Sequence, residues 1–206
     1  MKNKKESFNR MLRLVTLNFS EVATRFLTLT FAENIKCVQT ANKHFKEFVK
    51  RWRKEYGTDF RYIATIEFQD KFGRGAVHYH VITDGDYIKS KELERLWGNG
   101  FVKINKVEDG KHAAVYAGKY MRKGMLNERL QGKKSYWTSR NLLQPVQLDN
   151  GKAVYYLACI PENELEKYTE YTYPSEACGT IRYRKFFRKK TSGVPDGQME
   201  LFASEQ

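Results

Sequence analysis

The chain has 206 residues, 41% of them hydrophobic and 14% aromatic, enough for one domain of ordinary size whose core folds without staples, with room for a small appendage. A formal net charge of +13 suits a polyanionic partner, with nucleic acid the default. Cys37, Cys159 and Cys178 are odd in number and too scattered for a zinc pattern, which fits a reducing cytosol. They read as packing residues. No run approaches a membrane span, and Leu12 to Leu17, interrupted by Arg13, is too short for the apolar part of a signal peptide.

In chain order, Arg25 to Phe31 alternates and is rich in β-formers, which predicts a strand. A long helix follows, because Val38, Ala41, Phe45, Phe48, Val49, Trp52 and Tyr56 recur at helical spacing. Asn34 is available to cap its start and Gly57 to close its end. Arg61 to Gln69 and Ala76 to Thr83 then form a hairpin across a loop carrying Gly73 and Gly75. Ser90 is available to cap a short helix with Leu93, Leu96 and Trp97 on its apolar edge; Gly98 and Gly100 stop it before a strand at Phe101 to Val107, and a helix spans about His112 to Lys123. This order predicts an α+β fold, an antiparallel sheet with helices packed on it. Beyond Gly124 the signals weaken, with a strand expected at Ala153 to Ile160 and a helical turn at Glu162 to Tyr168. The division expected is a domain over 1–190, ending in a basic extension, and a flexible tail over 191–206.

The chemistry concentrates in two places. His78 and His80 flank Tyr79 in a stretch that reads as a buried strand, so both imidazoles project from one face. On the partner arm Glu67 lies opposite His78, and Thr65 opposite His80, in a register the loop permits. Two imidazoles and a carboxylate, with positions left open for phosphate oxygens and water, suit Mg²⁺ or Mn²⁺. Tyr116, Lys119 and Tyr120 make one helical stripe, roughly opposite the apolar Ala114, Ala117 and Met121. A free phenol titrates near pH ~10, so a nucleophilic tyrosine needs a cation beside it, which Lys119 and the metal supply. A metal pair followed by a tyrosine helix points to phosphodiester chemistry through a phosphotyrosine. Basic clusters at Lys43 to Lys54, Lys119 to Lys134 and Arg182 to Lys190 supply candidate DNA contacts at Arg122, Lys123, Arg182, Arg184, Lys185 and Arg188.

From Phe26 to Lys123 these motifs together resemble the HUH endonuclease superfamily, in particular the replication initiators of rolling-circle plasmids and small single-stranded DNA phages. Phe26 to Phe31 is similar to the family's first motif, His78-Tyr-His80 to its metal motif and Tyr116 to Lys123 to its tyrosine motif. Glu67 occupies the place where that family commonly supplies a carboxylate ligand. The tyrosines follow the histidines, an order unlike that of conjugative relaxases, and two tyrosines with a lysine between them resemble the phage-type initiators. The resemblance implies an RRM-like, ferredoxin-like sheet, and metal-dependent nicking and rejoining of single-stranded or cruciform origin DNA through a 5′-phosphotyrosine. It also implies a setting in the cytoplasm of a bacterial host. Tyr116-Ala-Gly-Lys119 resembles the tyrosine-x-x-lysine form of the motif, favouring Tyr116 for the first nick. No phosphate-cradling Gly-x-x-x-x-Gly-Lys-Ser/Thr loop is present, so a host replicative helicase is the expected partner. An HUH transposase or recombinase shares the same chemistry, and a non-catalytic nucleic-acid-binding module is the reading without it. In the tail, Gln198, Met199, Leu201 and Phe202 resemble the pentapeptide that bacterial proteins insert into the sliding clamp.

Overall fold

The computed structural model describes residues 2–19, 24–70, 73–84, 88–107, 113–146, 148, 150–161, 165–175, 179–188 and 201–205. The chain divides into two compact units, residues 1–143 and 144–206. In the first, the element order is α1 (Lys2–Asn18), β1 (Arg25–Thr30), α2 (Val38–Tyr56), β2 (Tyr62–Gln69), β3 (Ala76–Thr83), α3 (Ser90–Trp97), β4 (Val102–Lys106), α4 (Ala113–Met125), a 3-10 turn at Glu128–Leu130 and β5 (Tyr136–Thr138). Five antiparallel strands lie in the order β4-β1-β3-β2-β5, with helices packed on both faces, so the α+β expectation holds.

Alternation along the strands sorts two cores. On one face, Leu27, Leu29, Ile66, Val77, Tyr79 and Val81 meet the stripe of α2 (Ala41, Phe45, Phe48, Val49 and Trp52) and the edge of α3. On the other, Phe26, Ile63 and Ile82 meet Met11, Leu14 and Val15 of α1 and Ala117, Met121 and Met125 of α4. β3 is the central strand and is covered on both sides, which is why seven of its eight residues are buried. Each Phe-sized side chain fully buried in this way stabilises by roughly 1.5–3 kcal/mol.

α1 was not among the expected elements. Phe8, Met11, Leu12 and Val15 carry its helical spacing, in a stretch whose basic start invites comparison with a leader. Its Lys4 ammonium donates to the carbonyls of Leu126 (3.3 Å) and Asn127 (2.8 Å), just past the end of α4, where a cation complements the helix dipole. Asn18 donates to the Leu14 and Leu143 carbonyls and accepts from the Leu143 N–H. The start of α2 also differs from expectation: Cys37, not Asn34, is the N-cap residue, and it makes no side-chain capping bond.

The position of α4 is set by a glycine. A methyl group on Gly124 would lie 1.9 Å from the Ile66 carbonyl oxygen, so only hydrogen lets this turn rest on the backbone of β2. Glu67, which follows Ile66, is thereby held under the last turns of the helix.

The second unit contains α5 (Asn150–Ala158) and the antiparallel strands β6 (Leu165–Ser175), β7 (Gly179–Arg188) and β8 (Leu201–Glu205), with β7 in the middle. Two expectations are overturned here. The strand expected at Ala153 to Ile160 is largely helix α5, since a short apolar run does not by itself distinguish helix from strand and Ala153, Leu157 and Ala158 favour helix. The helical turn expected at Glu162 to Tyr168 gives way from Leu165 onward to a strand rich in Thr and Tyr, whose pairing with β7 runs along its full length. Of the expected tail, residues 191–200 and 206 lie outside the described residues, and Leu201–Glu205 is strand β8.

Candidate metal centre and tyrosine pair

The hairpin builds the centre. Glu67 pairs with His78 and Thr65 with His80, the register expected from the loop. From the other side of β3, Thr30 pairs with His78 and Thr28 with His80. Paired residues share a face, so Thr28, Thr65, Glu67, His78 and His80 all lie on the side covered by α1 and α4.

Both imidazoles converge on one carboxylate oxygen. Glu67 Oε2 lies 2.8 Å from His80 Nε2 and 3.2 Å from His78 Nε2, while its other oxygen accepts from the Lys123 ammonium at 2.6 Å. The bonds from His78 and His80, and then that from Lys123, hold the Glu67 carboxyl well below the usual carboxylate range. Burial lowers the His80 imidazole below its ordinary value against the opposing pull of Glu67, so the ring favours the neutral form that a metal requires. Thr28 Oγ1 lies 3.3 Å from His80 Nδ1, a bond from outside the ligand set that orients this ring.

The donor set fits a divalent cation. One ligand atom from each of Glu67, His78 and His80 lies within 4.8 Å of the others, on a rigid two-stranded frame. Two imidazole nitrogens and an ionised carboxylate oxygen match the ligand chemistry of such ions, and the three residues can bind one.

The tyrosines lie on the same face. Phe26 is the hub: its ring stacks on His80 at 5.3 Å and contacts Tyr116 at 4.9 Å and Tyr120 at 5.4 Å between centroids. The two tyrosine rings are 4.6 Å apart, and Tyr120 is 6.4 Å from the His80 ring. Burial, and then the neighbouring Tyr120 phenol, push Tyr116 above the ordinary phenol value. Both tyrosines are half-buried, while Ala117 and Met121 are fully buried, as their stripe implied. Ala114 is only partly buried, and Ala113 takes the core position instead.

The two lysines of α4 take different positions. Lys119 is exposed and holds its ammonium 5.2 Å from the centre of the Tyr120 ring. Lys123, expected only as a DNA contact, is the lysine that reaches the carboxylate. The sequence carries a signal for it, since Tyr120-Met-Arg-Lys123 repeats the spacing of Tyr116-Ala-Gly-Lys119. Thr28 was also missed, although it alternates onto the same face as His80 once β1 is paired with β3. Arg122 is exposed, its guanidinium 6.0 Å from the Phe8 ring.

The remaining candidates lie in the second unit. Arg182, Arg184, Lys185 and Arg188 belong to β7, and their side chains lie outside the described residues. Leu201 and Phe202 pair through their backbones with Phe186 and Lys185, and Gln198 and Met199 lie outside the described residues. No described helix is long and apolar enough to cross a membrane.

The antiparallel sheet thus carries a His-His-Glu group able to bind a divalent cation, with a pair of tyrosines on the helix above it. Residues 24–125, from the approach to β1 to the end of α4, match the family described as replication-associated protein ORF2/gene 2 protein. The match contains every member of the centre and both tyrosines. Neither a curated protein nor a solved structure matches the chain.

Proposed function

We propose that the protein is a replication initiator that nicks and rejoins single-stranded origin DNA through a 5′-phosphotyrosine. The observation that carries this reading is the placement of two half-buried tyrosines on one aromatic hub with a metal-binding His-His-Glu group. His78, His80 and Glu67 would hold Mg²⁺ or Mn²⁺, which supplies Lewis-acid polarisation of the scissile phosphate.

The chain's own groups do the rest. A tyrosine oxygen attacks phosphorus in line, the bond to the 3′ oxygen breaks, and that oxygen takes up a proton to leave a free 3′-OH able to prime synthesis. Rejoining is the reverse, with the 3′-OH attacking the phosphotyrosine. The phenol's own proton goes to solvent while the Lys119 ammonium, already over the Tyr120 ring, stabilises the phenolate. Tyr120 lies against His80, whereas Tyr116 has its aromatic contacts with Phe26 and Tyr120. We therefore assign the first attack to Tyr120, in place of the Tyr116 that motif spacing favoured, and the second strand transfer to Tyr116.

The test is incubation with the cognate origin strand and Mn²⁺, followed by denaturing electrophoresis. A protein–DNA band that survives denaturation, and is lost from the first nick in Tyr120→Phe but not in Tyr116→Phe, is the expected result. Absence of any covalent band under conditions of saturating DNA binding would leave only a binding module.

A further inference from the structure

The two histidines are supported unequally. When an imidazole binds a cation through Nε2, its proton resides on Nδ1 and needs an acceptor, and that outer partner fixes the ring. His80 has Thr28 in this place. His78 Nδ1 is buried and has no hydrogen-bond partner among the described residues.

Two further buried atoms on the same face lack a partner among the described residues, Thr65 Oγ1 and Gln69 Oε1, and of the two the longer amide has the reach across a diagonal. Gln69 pairs with Ala76 in the hairpin, so it lies on the same face as His78 and diagonal to it, one row further from His80. Diagonal neighbours on a sheet lie ~7–8 Å apart at Cα, within reach of long side chains. A buried polar atom left unmade destabilises by roughly 1–3 kcal/mol, and once Nε2 holds a cation the Nδ1 proton and the Gln69 oxygen are of opposite sense in adjacent rows, which points to one interaction.

We infer that Gln69 is the positioning residue for His78, its amide oxygen accepting the Nδ1 proton, directly or through one water, when Nε2 holds the metal. Gln69 is not a ligand here; it acts on the ion only through the imidazole, as Thr28 acts through His80. The inference rests on the metal reading of the centre, and its test separates the two.

Mn²⁺ binding to the full chain without DNA is followed by the electron paramagnetic resonance of free Mn²⁺, for the parent protein and for Gln69→Leu, Gln69→Glu and Glu67→Ala. In parallel, side-chain ¹⁵N shifts of His78 are read with saturating Mg²⁺, which reports the tautomer without paramagnetic broadening. Gln69→Leu should weaken Mn²⁺ binding about tenfold, the lower end of the range for outer partners of metal-bound histidines, and remove the single Nδ1–H tautomer. Gln69→Glu restores an acceptor of the same reach and should recover both. An unchanged tautomer and Mn²⁺ affinity in Gln69→Leu, with binding lost in Glu67→Ala, would overturn the role of Gln69 and leave the metal centre standing. Unchanged Mn²⁺ binding in Glu67→Ala would overturn the centre itself, and the role of Gln69 with it.

Discussion

Tyr79 and His80 are neighbours in sequence and face opposite sides of the same sheet, into surroundings that could hardly differ more. Tyr79 is completely buried, stacked on Phe45 at 4.5 Å, with its hydroxyl donating to Asn42 at 2.8 Å. Burial drives its phenol far above the ordinary value, so it does not ionise in the folded protein. On the other side, His80, Tyr116 and Tyr120 gather around a single Phe26 ring, with Glu67 hydrogen-bonded to His80, and several of these groups are only half-covered. One strand thus serves a dry face that fixes position and a polar face that carries chemistry. The dry face makes the polar one affordable, because a central strand locked by aromatic packing can hold two histidines and a glutamate together without collapsing around them.

The sharpest way to break this contrast is to remove tyrosine oxygens from each face. Tyr116→Phe with Tyr120→Phe should eliminate the covalent adduct while origin binding, measured by filter retention, persists, since the basic surface supplies the affinity. Tyr79→Phe should leave adduct formation intact and cost about 0.5–1.5 kcal/mol in urea unfolding, the worth of one hydrogen bond. An undiminished adduct in the double variant would remove both α4 tyrosines from the chemistry.

On the dry face, Phe48→Ala should destabilise by about 3–5 kcal/mol, because Phe48 is fully buried between α2 and the sheet. The molecules that remain folded should bind Mn²⁺ as tightly as the parent. A fall in affinity per folded molecule would show that the two faces are coupled. At the seam between helix and strand, Gly124→Ala should cost about 1–3 kcal/mol as an overpacked contact, and it should slow adduct formation by lifting α4 from β2.

The smallest effect is in acid. His80 and Glu67 both have depressed values in the folded chain, so each contributes stability in full above its unfolded value and loses it as pH falls towards its folded one. The metal-free protein should therefore lose melting temperature in two stages on acidification, the first starting below about pH 6.5 and the second below about pH 4.3, the ordinary histidine and glutamate values. His80→Gln should flatten the first stage and Glu67→Gln the second, by differential scanning fluorimetry. A profile unchanged in both would mean that the hydrogen bonds on Glu67 contribute nothing to folding.

Most of this arrangement was legible because strand alternation is rigid. Once Arg61–Gln69 and Ala76–Thr83 are read as a hairpin, the period of two and the loop length permit the register that sets Glu67 opposite His78, the one the structure has. What could not be read was which helices cover that face. α1 was hidden by its basic start, and its packing on α4 is a tertiary fact that no local period reports. Lys123 looked like one more surface cation because its partner is fifty-six residues away. The second unit was misread for a different reason: Ala153 to Ile160 is a short apolar run that does not by itself separate helix from strand, and in Glu162 to Tyr168 the pairing with β7 from Leu165 onward prevails over a helical turn.

The backbone contact at Gly124 turns the tyrosine helix into a fixed gauge. With no side chain between α4 and the Ile66 carbonyl, there is no compressible layer to let the helix creep along the sheet as the reaction proceeds. On the function proposed above, one phenol would replace the other by torsion about side-chain bonds, across rings 4.6 Å apart, and the DNA would do the travelling.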